Sequence, residues 1–167
     1  MQQFFKQSTL DANRVSEIPL LYDEKDEGLL SLPAKNGLKT TTADDIYFIF
    51  RNHWNMDQIK SRTDYMVLYF RHQKVLGISL EAIGEKDAVT VNTKKQIERI
   101  KAWNVTGIAT AYNHSGEELY LRPSKTSLRL FVHSCEIFES LGIHYHDHMI
   151  LSAIEGYYYS FRTVGLL

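Results

Sequence analysis

Residues 111–127 read AYNHSGEELYLRPSKTS. The stretch follows a compact apolar run, Gly107-Ile-Ala-Thr-Ala-Tyr, passes through Asn113-His-Ser-Gly, and reaches Pro123-Ser before a longer polar-apolar segment. The run before it has the length and composition of a buried strand. Ser124 stands where a helix wants its N-cap, directly after a proline that ends the loop. A strand that delivers its chain through a polar loop into a helix is the unit from which the remaining elements are placed.

Downstream, Ser124 caps a helix running to about Ser140. Leu128, Leu130, Phe131, Ile137 and Phe138 are expected to supply core, and Gly142 to close the helix. His144–Ser152 and Tyr157-Tyr-Tyr-Ser-Phe read as strands. Upstream, Thr93–Trp103 reads as a helix with Ile97 and Ile100 inward and Lys94, Lys95, Arg99 and Lys101 outward. Tyr65–Phe70 and Lys74–Leu80 read as paired strands joined by a turn at Arg71-His-Gln. Thr42 is the expected N-cap of a helix with acids in its first turn, whose Ile46, Phe50 and Trp54 recur every four residues. Residues 1–41 read as an N-terminal extension in which Val15–Tyr22 pairs as a short edge strand, Pro19 being tolerated there. Turns follow at Asp23-Glu-Lys-Asp-Glu-Gly and Pro33-Ala-Lys-Asn-Gly. The order of elements over 42–167 predicts an α/β fold: a mixed sheet flanked by helices.

Composition bounds the function. The chain has 167 residues, of which 44% are hydrophobic and 12% aromatic, enough for one domain with a substantial core. A formal net charge of −1 argues against a binder of nucleic acid that is basic overall. A single cysteine, Cys135, rules out an internal disulfide framework and fits a reducing compartment. The sequence contains no secretory signal pattern and no apolar run near the ~20 residues of a membrane span. A cytoplasmic location without membrane contact is therefore expected.

Tyr112-Asn-His-Ser-Gly, then Pro123-Ser, Gly142-Ile, Asp147-His148-Met-Ile and Tyr158-Tyr-Ser-Phe together resemble the RadC-like branch of the JAMM/MPN (JAB) metalloprotease superfamily. In that branch the loop runs His-Asn-His-Pro-Ser-Gly, followed by Pro-Ser and an Asp three residues after the Ser. The resemblance covers about Thr42 to Leu167 and implies the JAB/MPN sandwich, which is cytidine-deaminase-like. It implies a zinc ion held by two histidines and the Asp, with water in the fourth position. It also implies a glutamate general base from an earlier strand and a serine at the oxyanion. Family members often carry a DNA-repair label.

Carried over by position, these roles fall on residues that do not fill them. The first histidine falls on Tyr112 and the second on His114, which is kept. The ligand Asp falls on Ser127, the serine on Ser124, and the general base on Thr63, with Asp64 beside it. The loop proline is missing, since Ser115 follows His114 directly. Structural zinc binding is worth ~10–16 kcal/mol shared among four ligands, so losing two removes on the order of half. The resemblance thus implies a degenerate site with no catalytic residue, no cofactor, and a protein partner, a second copy or nucleic acid as what the domain binds. The alternative is a zinc-dependent hydrolase or isopeptidase whose ligands have moved to His114, Glu117 or Glu118, and the histidine strand.

Other residues have competing readings. His144, His146 and His148, alternating on one strand, would face one way about 6.6 Å apart, as a metal grip, a pH sensor or a half-exposed face. Lys94, Lys95, Arg99 and Lys101, with Arg122, Lys125 and Arg129, could contact phosphate or form an ordinary solvated surface. Cys135 fits the apolar face of its helix better than a nucleophile's setting. The Tyr157-Tyr-Tyr run is either an aromatic patch for a partner or a strand alternating between core and surface.

Overall fold

The computed structural model describes residues 3–4, 8, 10–16, 18, 20–22, 38–40, 42–85, 89–116 and 121–167. In chain order the elements are β1 (Gln3–Phe4), α1 (Ala12–Ser16), β2 (Leu20–Tyr22), α2 (Ala43–His53), β3 (Thr63–Arg71), β4 (Lys74–Gly84), α3 (Thr93–Ala102), β5 (Gly107–His114), α4 (Lys125–Ser140), β6 (His144–Ser152) and β7 (Tyr157–Ser160). The strands form one sheet in the order β1-β7-β6-β5-β3-β4-β2. β5 runs parallel to β6 and β2 parallel to β4, while the other neighbours are antiparallel. This is the mixed sheet that the sequence predicts.

Side-chain alternation along the strands divides the core in two. Met66, Leu68 and Phe70 of β3 face Ile46, Ile49 and Phe50 of α2 together with Val15 of α1. Val67 and Tyr69 face the opposite way, toward Ile100 of α3 and Phe131 and Phe138 of α4. Helices therefore cover both sheet faces, α1 and α2 on one and α3 and α4 on the other.

Local chemistry sets the helix ends. The Thr42 hydroxyl accepts from the Asp45 amide at 3.1 Å, and the Asp45 carboxylate accepts back from the Thr42 amide at 3.2 Å, a reciprocal capping box. Ser124 caps α4 by accepting from Ser127 N–H at 3.0 Å. At the other end of α4, Gly142 (φ +71°) donates to the Glu139 carbonyl and Ile143 donates to the Phe138 carbonyl, each at 2.9 Å. That pattern is a Schellman stop, whose left-handed residue favours glycine. In the Tyr157-Tyr-Tyr run, Tyr158 is buried, stacks on Tyr47 at 4.6 Å and donates to Asp44 at 2.9 Å. Alternation explains the run.

Three expectations change. Residues 12–16 are helical, so the edge strand is confined to Leu20–Tyr22. Asp11 accepts from the Asn13 amide at 2.9 Å and its carbonyl takes the Val15 amide at 3.0 Å, so a local cap overrides the β-preference of Val15. Arg99, expected outside, is buried against Glu81 of β4. Leu130, expected in the core, is 61% exposed. Pro19 and the turns at 23–28 and 33–37 lie outside the described residues.

Candidate functional site

The site is assembled where β3 begins, β5 ends and α4 begins. β3 and β5 pair antiparallel with Tyr65 opposite Tyr112, and continuing that register by two residues brings Thr63 level with His114. Asn113, between the two site positions of β5, points to the opposite face and fastens the strands together. Its amide nitrogen donates to the carbonyls of Ile59 and Arg62, both at 2.8 Å, and its carbonyl accepts from the Asp64 amide at 2.6 Å. It is a positioning residue that sequence reasoning did not single out. The signal was its place between the two ligand positions of the loop.

Tyr112 and Ser127 come together, but as a phenol and a hydroxyl. Burial raises the pKa of the Tyr112 phenol, and the neighbouring Ser127 side chain opposes that rise. Ser127 is also 3.0 Å, hydroxyl to hydroxyl, from Ser124. The Nδ1 of His114 accepts from the Gly116 amide at 3.2 Å. In the neutral ring that bond leaves the proton on Nε2, so a metal could take neither nitrogen without breaking it or shifting the tautomer. A phenol, a hydroxyl and a histidine so engaged do not fit zinc, which wants thiolate, imidazole or carboxylate donors.

No carboxylate replaces the general base among the described residues of this face. Thr63 shares its face with Tyr65, Val67 and Tyr69, whereas Asp64 shares the other with Met66 and Leu68. Asp64 is buried there in an ion pair with Arg62, Nε to Oδ1 at 2.7 Å. Glu81, which sequence reasoning missed, does lie on the α3 side, but it is committed to structure. It accepts from Arg99, Ser79 and Tyr69, the last at 2.5 Å. A glutamate within an apolar strand was the available signal. Glu117 and Glu118 lie outside the described residues.

Only part of the expected histidine row forms: the rings of His144 and His146 meet edge-on at 4.6 Å, while His148 turns to the other face. β5 and β6 slip register between Ile108 and Ala109, which pair with Tyr145 and Asp147, so His146 is the extra residue of a β-bulge. The bulge reverses the alternation. His146 packs on Phe70 at 4.4 Å, on the α2 side, while His148 stacks on Phe131 at 5.1 Å, on the α4 side. His144 pairs with Gly107, the first residue of β5, and His114 is the last. At ~3.3 Å per residue they stand about 23 Å apart and cannot share an ion. A Cβ at Gly107 would lie 2.5 Å from His146 Nε2 and 3.0 Å from the His144 carbonyl, so a larger residue there would have to displace the His146 ring.

Asp147-His148 instead holds the C-terminal segment. Asp147 accepts from Ser160 at 2.6 Å and from the amides of His148 and Arg162 at 2.8 and 3.1 Å. His148 Nδ1 meets the Thr110 hydroxyl at 2.6 Å. Burial lowers His148 from its ordinary 6.5 to about 3, and burial with the charges of His144 and Arg162 lowers His146 to about 4. Burial raises Asp147 from 3.8 to about 6. The histidines have depressed folded values, so their contribution is complete above pH 6.5 and is lost as pH falls toward 4 and then 3. Asp147 has the opposite sign: its contribution is complete below pH 3.8 and is lost as pH rises through 6. Two groups against one leave a net loss of stability on acidification from 6.5 to 4.5, on the order of 1 kcal/mol per pH unit. Urea midpoints across that range measure it, and His148→Phe should flatten the slope. A midpoint that stays level or climbs on acidification would contradict this assignment.

Cys135 is half-buried, and burial together with Glu139 and Glu136 pushes its thiol up to about 11, so it is no nucleophile. With Arg99 inside and Lys95 half-buried, the exposed basic residues on α3 shrink to Lys94 and Lys101. No described helix is long and apolar enough to cross a membrane.

No curated protein matches this chain. The family model described as RadC-like JAB domain matches residues 40–166, which include every element from α2 to β7 and all the site positions above. The chain belongs to the RadC-like JAB domain family.

Proposed function

We propose that this chain is a catalytically silent RadC-like domain, a binding or scaffolding module of the cytoplasm. The observation that carries the reading is what stands at the ligand positions: a Tyr112 phenol beside a Ser127 hydroxyl that is itself 3.0 Å from Ser124. Two positions that would have to supply metal ligands carry a phenol and a hydroxyl, the hydroxyl engaged with Ser124, and the remaining histidine accepts from the backbone. Without a held ion, water at this site keeps its ordinary high pKa and there is no activated nucleophile. Thr63 cannot take up a proton in place of a carboxylate. No hydrolytic step is therefore derived. The repair label that accompanies family members would then describe an accessory role, with the domain contacting partners rather than cutting them.

A zinc titration against a chromophoric chelator tests this, run beside an isopeptide-cleavage assay. Half of ~10–16 kcal/mol leaves a Kd no tighter than roughly 1 μM, and cleavage should be absent with or without added zinc. A 1:1 complex orders of magnitude tighter, lost in His114→Ala and accompanied by cleavage, would establish the hydrolase reading instead.

A further inference from the structure

We infer that the outer flank of α4 is the contact surface of an antiparallel homodimer, with α4 of one copy lying along α4 of a second. The inference rests on the binding-module reading and names its partner.

The first observation is an apolar stripe that no described element covers. Leu130 is 61% and Leu141 43% exposed, and Ile137 is only partly buried. Positions 130, 137 and 141 fall on one side of the helix, with Ser134 between them, about 60–120° of rotation away from the buried Phe131 and Phe138. That spacing suits a helix–helix seam, and the small Ser134 allows close approach.

The second observation fixes the orientation. α4 carries its charges in the order opposite to its own dipole. Arg122, Lys125 and Arg129 are exposed at its N-terminal end and Glu136 and Glu139 at its C-terminal end, with no acid in the first turn and no base in the last. Both arrangements destabilise a helix standing alone. α2 does the reverse, with Asp44 and Asp45 in its first turn and Arg51 in its last. An antiparallel second copy relieves both ends of α4 at once. Beside the stripe Arg129 of one copy comes near Glu136 of the other, Lys125 and Glu139 lying farther round the helix, and the two dipoles oppose. The contact is self-complementary, as a two-fold interface must be. With position 130 of one copy against position 137 of the other, the axis passes beside Ser134.

Sedimentation velocity on the full chain over the micromolar range reads the dimer directly. The wild-type chain should sediment as a dimer and dissociate more readily as salt is raised. Leu130→Glu, at a position turned away from the core, should leave the chain folded, lower the melting temperature only by what the lost association contributes, and weaken association by roughly 100-fold. In a Cys135→Ser background, a short bismaleimide should join two copies through Ser134→Cys but not through Lys125→Cys. A wild-type chain that remains monomeric at the highest concentration overturns the inference, as does a dimer that survives Leu130→Glu. Cross-linking at both cysteine positions would indicate a parallel pair and overturn it equally. A dimer carrying stoichiometric zinc would leave the interface standing and remove the silent reading. A zinc-free monomer would do the reverse.

Discussion

Arg99→Met is expected to cost about 3–5 kcal/mol, a large part of the ~5–15 kcal/mol that holds a domain together. The guanidinium is 3% and the Glu81 carboxylate 1% exposed. Arg99 Nη1 binds Glu81 Oε1 and lies 3.1 Å from the Tyr69 hydroxyl, and Arg99 Cζ sits over the Tyr69 ring, 5.7 Å from its centroid. Ser79 and Tyr69 donate to the same carboxylate oxygen, and burial followed by the Glu81 charge raises the Tyr69 pKa well above its ordinary value. Replacing Arg99 strands an anion inside the sheet, whereas replacing both partners removes the stranded charge as well. Glu81→Leu with Arg99→Met should therefore recover most of the loss, because desolvation offsets much of what a buried pair contributes. At roughly 2–4 °C per kcal/mol the single variant should melt on the order of 10 °C lower. A shift of a degree or two in the single variant would show that the pair is not held as described.

The second large effect is a gain. Thr63→Glu, Tyr112→His and Ser127→Asp together should rebuild a zinc site, because the backbone frame is still present. Tyr112 and His114 are i and i+2 at the end of β5, Ser127 lies beside Tyr112, and Thr63 begins β3 on the same face. Adding an imidazole and a carboxylate to His114 restores three protein ligands, and zinc affinity should rise by at least ~10³-fold. Position 63 is buried, so a carboxylate introduced there would be costly in the metal-free chain. Zinc should therefore raise the variant's melting temperature and not the wild type's. The loop is one residue shorter than the family pattern. If the triple variant folds but binds no zinc, the frame has drifted and the degeneracy runs deeper than the side chains.

What the sequence made legible was the local chemistry. Thr42, Ser124 and Gly142 act through bonds to residues two to four positions away, so their roles can be read without knowing the fold. The site positions were legible for a related reason. Tyr112, His114, Ser124 and Ser127 sit in one short stretch whose strand-loop-helix form brings them together.

The failures share a cause in distant partners. Arg99 reads as a surface cation because its counter-charge, Glu81, lies on another element. The histidine row depended on unbroken alternation, and a one-residue bulge against β5 reversed it. Leu130 reads as core because helical periodicity reports an apolar flank without saying whether this chain covers it. In this chain the uncovered flank coincides with the inverted charges of α4, and that coincidence carries the dimer inference.

The most direct test is metal content, measured by mass spectrometry on protein purified without chelator, wild type beside the triple variant. The wild-type chain should carry far less than one zinc per molecule and the rebuilt chain close to one. A wild-type preparation with one zinc per chain, removed by His114→Ala, would contradict the account at its centre.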